Sequence, residues 1–135
     1  MKKNKGLTLM ELTIVLALIV IVAAILIPLF LLTTDRARLR GDIQSARVIQ
    51  NARDLYRVER GTPVDGIDVA EMVENLANAG YLNPRDIGVN PQTYEIGARW
   101  VIHEGIVKID IRNIPELLEL LDTLSPEERE YVLAN

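Results

Sequence analysis

Glu11 is the residue whose type and position most clearly indicate chemistry. It stands directly before residues 12–32, a run of 21 residues without a charged side chain. An acidic residue in the middle of a membrane costs about 2.5–3.5 kcal/mol, so a carboxylate beside such a run calls for an explanation. Buried charge in apolar surroundings is tolerated only when it is paired. The position of Glu11 therefore predicts an ion pair with a cationic group.

The other residue types offer little for catalysis or metal binding. His103 is the only histidine, and its place beside a predicted turn favours an exposed polar role over catalysis. The chain has no cysteine, which excludes disulfides, thiol chemistry and cysteine-ligated metals. No serine has a general base nearby in sequence. The aspartates are too scattered to indicate calcium: Asp65, Asp68, Asp86 and Asp110. We expect no enzyme, no cofactor and no metal site.

Three arginines could form a basic stripe on a helix. Arg36, Arg40 and Arg47 lie within about 40° of one another around a helical axis, so binding of DNA is one reading of the stripe. A solvated or ion-paired face is the commoner one. Loss of residues 1–6 would leave 12 Lys and Arg against 19 Asp and Glu, a formal charge of −7. Because such a chain repels nucleic acid as a whole, we expect no nucleic-acid partner.

The element that must carry Glu11 is a membrane helix. At about 1.5 Å per residue, residues 12–32 span the roughly 30 Å hydrocarbon core of a bilayer. The run is longer than the apolar region of a secretory signal, about 7–15 residues. Three lysines precede it and three arginines follow it, so the positive-inside rule leaves the orientation open. Those residues are Lys2, Lys3, Lys5, Arg36, Arg38 and Arg40.

The helix is predicted to continue beyond the membrane segment. Apolar residues recur at helical spacing at Leu39, Ile43, Ala46, Ile49 and Tyr56. We therefore expect one helix from Leu7 to about Arg60, with a hydrophobic first half and an amphipathic second half. The turn formed by residues 61–63, Gly-Thr-Pro, ends it.

A shorter helix is predicted after that turn. Asp68 and Glu71 have the spacing of a capping box, and Gly80 can cap the carboxyl end. Near the end of the chain, Pro115 and Ser125 mark the starts of two further short helices, which the sequence favours over a third strand.

Alternating residues between these helices predict a β-hairpin. Apolar residues alternate with polar ones from Tyr94 to His103 and again from Val107 to Arg112, and Glu104 and Gly105 form the turn. This register pairs Ile102 with Val107, Trp100 with Ile109 and Ala98 with Ile111. The fold class is therefore α+β, a long helix packed on a small antiparallel sheet with short extra helices.

At the amino terminus, the sequence resembles the type IV pilin and type II secretion pseudopilin superfamily. Residues 5–11 read Lys-Gly-Leu-Thr-Leu-Met-Glu, the pattern of a basic leader that ends in Gly before a Thr-Leu-x-Glu segment. The resemblance implies that a prepilin peptidase cleaves after Gly6 and that the new amino group of Leu7 is methylated. It also implies that Glu11 pairs with that amine of a neighbouring subunit and that Pro28 kinks the helix.

The resemblance also implies an organisation and a set of partners. Residues 1–6 would be the cleaved leader, residues 7–32 the transmembrane and assembly half of the helix, and residues 33–135 a pilin-like globular domain. The expected partners are pilin-like subunits of the same or another kind, prepilin peptidase, an inner-membrane assembly platform and the lipid membrane. The leader would be cytoplasmic and the globular domain extracytoplasmic, in the inner membrane at first and later in a pilus or pseudopilus.

Two positions depart from the family pattern without undermining the resemblance, and several alternatives stay open. Leu7 stands where Phe is common, and no glycine lies between Glu11 and Pro28. The filament could be a surface pilus, a secretion pseudopilus or a competence pilus. Glu11 could instead snorkel from an ordinary anchor helix, and Pro28 could be an incidental kink. The competing function is an uncleaved single-pass binding module anchored in the membrane.

Overall fold

One long helix dominates the structure. The computed structural model describes residues 6–64, Gly66 and residues 68–135, so the predicted leader lysines lie outside the described residues. The chain divides into two compact units, Met1–Thr34 and Asp35–Asn135. Helix α1 (Leu9–Arg60) contributes residues to both. The predicted long helix is confirmed, although it begins two residues later than expected because Leu7 and Thr8 precede its first turn.

The first unit contains the apolar half of α1. Among the described residues, α1 is the one helix long and apolar enough to cross a membrane, judged by length and composition. Every side chain in residues 12–32 is exposed in the isolated chain except that of Ala23, which is half-buried. A continuous apolar surface of this length needs lipid or protein around it.

In the second unit, α1 contributes one face to a core. Leu39, Ile43, Ala46 and Ile49 recur every three or four residues and are at most 2% exposed. Spacing of this kind brings the side chains to one side of a helix, as the sequence predicted. Tyr56, also predicted for this face, is only half-buried. The prediction that this half of α1 is amphipathic is therefore confirmed.

Helix α2 (Val69–Asn78) has the start and end that the sequence predicted. The Asp68 carboxylate accepts a hydrogen bond of 2.8 Å from the backbone N–H of Glu71. At the other end Gly80 has a φ of 86°, a conformation that a residue without Cβ adopts freely. The N–H of Tyr81 then donates to the carbonyl of Leu76 at 2.9 Å, which closes a Schellman motif.

The predicted hairpin is confirmed in its turn and register. Strands β1 (Arg99–His103) and β2 (Ile106–Asp110) pair antiparallel, with Trp100 opposite Ile109 and Ile102 opposite Val107. Glu104 and Gly105 have φ of 54° and 80°, the positive values that a type I′ hairpin turn requires. Ala98 and Ile111, the third predicted pair, lie just outside the strands, and both are fully buried.

The prediction that the first strand begins at Tyr94 is wrong. Gln92–Ile96 forms a short 3-10 helix, and Gly97 ends it with a φ of 111°. The cause lies outside the segment, in Asp42 of α1, which is 1% exposed. Its carboxylate accepts hydrogen bonds from the backbone N–H groups of Gln92 and Thr93 at 2.6 and 3.0 Å, and from the Thr93 hydroxyl at 2.6 Å. This distant side chain holds Gln92–Ile96 out of the sheet.

The sheet also has a third strand, against prediction. Helices α3 (Pro115–Leu118) and α4 (Pro126–Arg129) begin where the sequence placed them, and Ser125 and Glu128 form the expected capping box. Strand β3 (Val132–Leu133) follows them and pairs parallel to β2. The N–H of Ile109 donates to the carbonyl of Tyr131 at 2.8 Å, so distant pairing creates a strand too short to show alternation.

Candidate processing and assembly site

The predicted cleavage site lies in an exposed, non-helical segment. Residues 6–8 precede α1 without regular secondary structure, and Leu7 is 78% exposed. A Cβ added at Gly6 would meet no described atom within 4 Å. Packing against the described residues therefore does not account for a glycine at this position.

Thr8 and Glu11 cap the start of α1 together. The N–H of Thr8 donates to Oε2 of Glu11 at 3.1 Å, and the N–H of Glu11 donates to the hydroxyl of Thr8 at 3.2 Å. These reciprocal bonds form a capping box, which satisfies backbone donors that a helix start leaves free. This role of Thr8 was not predicted from the sequence, although Thr-x-x-Glu before an apolar run is the usual signature of a capping box.

Glu11 keeps its charge available in this arrangement. The carboxylate is exposed, and within the part of the chain that the structure describes no Lys or Arg forms an ion pair with it. The hydrogen bond from Thr8 uses Oε2, which leaves Oε1 for another donor. The negative charge also lies in the first turn of α1, where the helix dipole favours it. Glu11 can thus cap its own helix and bind a cation at the same time.

The apolar half of α1 carries a shallow groove and a proline. The groove has a volume of about 370 Å³ and is lined only by aliphatic side chains: Leu18, Ile19, Val22, Ala23 and Leu26. Pro28 lies inside α1 and has no N–H to donate to the carbonyl four residues earlier. The chain remains helical on both sides of it. A kink at Pro28 stays a prediction.

Comparison with known proteins identifies the segment that contains these residues. Residues 1–27 match the family model described as the prokaryotic N-terminal methylation motif. The chain carries a class III prepilin-type leader. This is the leader of type IV pilins and pseudopilins, so the resemblance stated from the sequence is confirmed for this segment. No curated protein and no solved structure significantly matches the chain.

The prepilin-type leader supports a coarse functional class. It supports a pilin-like or pseudopilin subunit that is anchored in the inner membrane. In general, the motif implies other pilin subunits and prepilin peptidase as partners. The family of this motif is structural rather than enzymatic. The fold agrees, since a long helix whose second half packs on a small mixed sheet with short helices is pilin-like.

The other predicted surface residues belong to the second unit. His103 is exposed at the end of β1. Of the three arginines in the basic stripe, Arg40 lies 3.6 Å from Glu128 and Arg47 stacks 5.3 Å from the centre of the Tyr131 ring. Two of the three are therefore used inside the protein. Among residues 6–64, 66 and 68–135, no group of three or more His, Asp or Glu side chains is arranged to hold a metal ion.

Proposed function

We propose that the chain is a structural subunit of a type IV pilus-like filament. Prepilin peptidase would cleave it between Gly6 and Leu7, and its N-terminal helix would then assemble with those of other subunits. The observation that carries this proposal is the methylation motif over residues 1–27, set against an apolar helical surface that the chain itself leaves uncovered.

Burial of that surface is the proposed driving force. Side chains of residues 12–32 stay exposed in the isolated chain, so lipid must cover them before assembly and neighbouring helices afterwards. Apolar burial contributes about 25 cal/mol per Å² relative to water, which makes exposure of this segment to water prohibitive. Packing decides whether lipid or a neighbouring helix covers these side chains. The groove beside Ala23 offers a place for a neighbour's side chain.

Glu11 is proposed to set the register of assembly. Cleavage would free the amino group of Leu7, and the Glu11 carboxylate of a neighbouring subunit would bind it. Oε1 is the oxygen available for this contact, because Oε2 already accepts the hydrogen bond from Thr8. Two charges brought together in an apolar filament core satisfy each other, whereas either one alone would be costly.

The proposal includes an orientation and a domain organisation. Residues 1–6 are the leader and face the cytoplasm, residues 7–32 span the membrane, and residues 33–135 form the extracytoplasmic domain. The partners are pilin-like subunits of the same or another kind, the peptidase and an inner-membrane assembly platform. The competing function, an uncleaved membrane-anchored binding module, predicts that the leader is retained.

Mass spectrometry of the mature protein separates the two functions. When the chain is produced together with a prepilin peptidase, we expect a product that begins at Leu7 and carries a methylated amino group. The variant Gly6→Val should stay full length, because a branched side chain replaces the glycine at the cleavage site while nothing in the described structure opposes it. An intact Met1 in the unaltered protein would contradict the proposal.

A further inference from the structure

Few cationic residues occur in residues 61–135, and two of them line the same cavity. Residues 61–135 contain 5 Lys and Arg against 14 Asp and Glu. Two of the five have clear partners: Arg112 forms an ion pair with Asp110 at 2.8 Å, and Arg99 lies 3.9 Å from the centre of the Tyr94 ring. Lys108 and Arg129 instead line a cavity together with His103, the only histidine.

The cavity combines these basic groups with an apolar wall. Its volume is about 420 Å³, within the range of roughly 300–1,000 Å³ that is usual for small-ligand sites. His103 and Lys108 come from the hairpin and Arg129 from the end of α4, and Asn135 adds a polar group. Leu121 and Leu133 supply aliphatic surface. No element contributes more than a few of these residues, so the folded second unit assembles the cavity.

The charges at this cavity are poorly compensated. Lys108 is half-buried and has no ion-pair partner among the described residues. Arg129 lies 3.7 Å from Asp122, whose side chain is fully exposed. Exposed pairs of this kind contribute little, so the guanidinium keeps most of its capacity to bind an anion.

We propose that this cavity binds a small organic anion. The carboxylate or phosphate group of this anion contacts Lys108 and Arg129. Both side chains are ionised donors, which make stronger hydrogen bonds than neutral donors do. The apolar part of the anion lies against Leu121 and Leu133. A large polyanion is disfavoured, because the net negative charge of residues 61–135 repels it. This site does not depend on the proposed filament role.

Three matched probes test the proposal by nuclear magnetic resonance. Phenyl phosphate carries both chemical features, inorganic phosphate only the charge, and benzyl alcohol only the apolar ring. Each is titrated at constant ionic strength onto the full chain in zwitterionic lipid nanodiscs. We expect saturable shifts of the backbone amides of residues 132–134 with phenyl phosphate, and at least severalfold weaker binding of the other two. If benzyl alcohol bound as tightly as phenyl phosphate, the proposed anion site would be overturned. If inorganic phosphate bound as tightly as phenyl phosphate, the proposed apolar contact would be overturned.

Charge-matched variants locate the site. Lys108→Gln and Arg129→Gln should each weaken phenyl phosphate binding about tenfold, the loss expected for one charge-assisted hydrogen bond. Arg85→Gln is the control, since it changes the net charge equally at an exposed position outside the cavity. Amide spectra that are unchanged away from the substituted residue verify that each variant is folded. No saturable binding by the unaltered protein, or equal weakening by Arg85→Gln, would overturn the proposal.

Discussion

At the scale of single residues, Glu11 has two roles that substitution can separate. Its carboxylate caps α1 through Thr8, and its charge remains available to a partner. A glutamine keeps an oxygen that can accept the hydrogen bond from Thr8, since both Glu and Gln serve in capping boxes. It loses only the charge. Thr8→Val makes the complementary change, because it removes the cap and leaves the charge.

Glu11→Gln should abolish filaments while membrane insertion and cleavage persist. The reason is that the free amine of Leu7 would meet a neutral amide in an apolar environment and stay uncompensated. Thr8→Val should cost about 1 kcal/mol in helix stability and still allow filaments, in reduced amount. Immunoblots of sheared surface fractions and of membranes measure both outcomes. Normal filaments with Glu11→Gln would refute charge pairing, and their complete loss with Thr8→Val would point to the cap instead.

Asp42 is the buried charge that fixes the position of Gln92–Ile96. Burial raises the pKa of its carboxyl group above the ordinary value, and the hydrogen bonds from Thr93 and Gln92 oppose that rise. All three donors point at the two carboxylate oxygens. An amide cannot accept at both positions. Asp42→Asn therefore leaves at least one buried donor without an acceptor.

We expect Asp42→Asn to lower the free energy of unfolding by about 1–3 kcal/mol, the usual cost of one unsatisfied buried group. Urea unfolding of the full chain in detergent, followed by the fluorescence of Trp100, measures this change. Trp100 is the only tryptophan and packs against the core, so its emission reports on the second unit. Asp54→Asn, at an exposed position of the same helix, should change the value by less than about 0.5 kcal/mol. If Asp42→Asn and Asp54→Asn lowered the free energy of unfolding equally, the proposed contribution of the buried Asp42 hydrogen bonds would be contradicted.

At the scale of elements, Asp110 and Arg112 tie the end of β2 to the chain that follows it. Two hydrogen bonds, at 3.0 and 2.8 Å, connect the guanidinium to the carboxylate. This contact with Arg112 holds the pKa of Asp110 below its ordinary value of 3.8. The folded state thus binds protons less readily than the unfolded state. Asp110 contributes stability above that value, and the contribution is lost as the pH falls through the lower pKa of the folded state.

Arg112→Gln should therefore destabilise the protein at pH 6 and lose its effect in acid. Once Asp110 is protonated, neither the unaltered protein nor the variant has the ion pair, so their midpoints of unfolding should converge below the folded pKa. The pair is partly exposed, and we expect a small difference. Thermal unfolding across a pH series checks it, with Arg85→Gln as the exposed control. A difference that persists after protonation would assign the effect to packing of the Arg112 side chain.

Local signals account for the elements that the sequence predicted correctly. The turn at Glu104 and Gly105 and the caps at Asp68 and Ser125 depend on residues within a few positions of each other. The leader is likewise a contiguous pattern. The 3-10 helix at Gln92–Ile96 and strand β3 were missed because their cause lies far along the chain. One depends on Asp42, about 50 residues away, and the other on pairing with β2.

The candidate sites differ in the same way. Gly6, Leu7 and Glu11 were identified from a short motif, although their roles in cleavage and pairing remain predictions. The cap between Thr8 and Glu11 is equally local and was missed, because the charge of Glu11 explained its position without it. The cavity beside Lys108 could not be predicted, because its residues come from the hairpin, α4 and the end of the chain. Only the folded second unit brings them together.

At the scale of the whole molecule, charge is distributed unevenly along the chain. The proposed removal of the leader would take three lysines and leave a formal charge of −7. Among residues 7–60 cations outnumber anions, whereas residues 61–135 are strongly acidic. A basic cavity inside an acidic domain is thus a local exception to the global field, which favours small ligands over polyanions. Which side of the membrane this domain faces decides the ligands that can reach it.

Orientation can be measured directly because the chain contains no cysteine, so that one introduced thiol reports one position. The lysines before the membrane segment balance the arginines after it, and the proposed cytoplasmic leader rests on the family of the motif. We expect a membrane-impermeant maleimide to label Asn135→Cys in intact spheroplasts. Lys2→Cys, in cells without the peptidase, should react only after lysis. The reverse pattern would refute the proposed topology and would place the cavity beside Lys108 in contact with cytoplasmic anions.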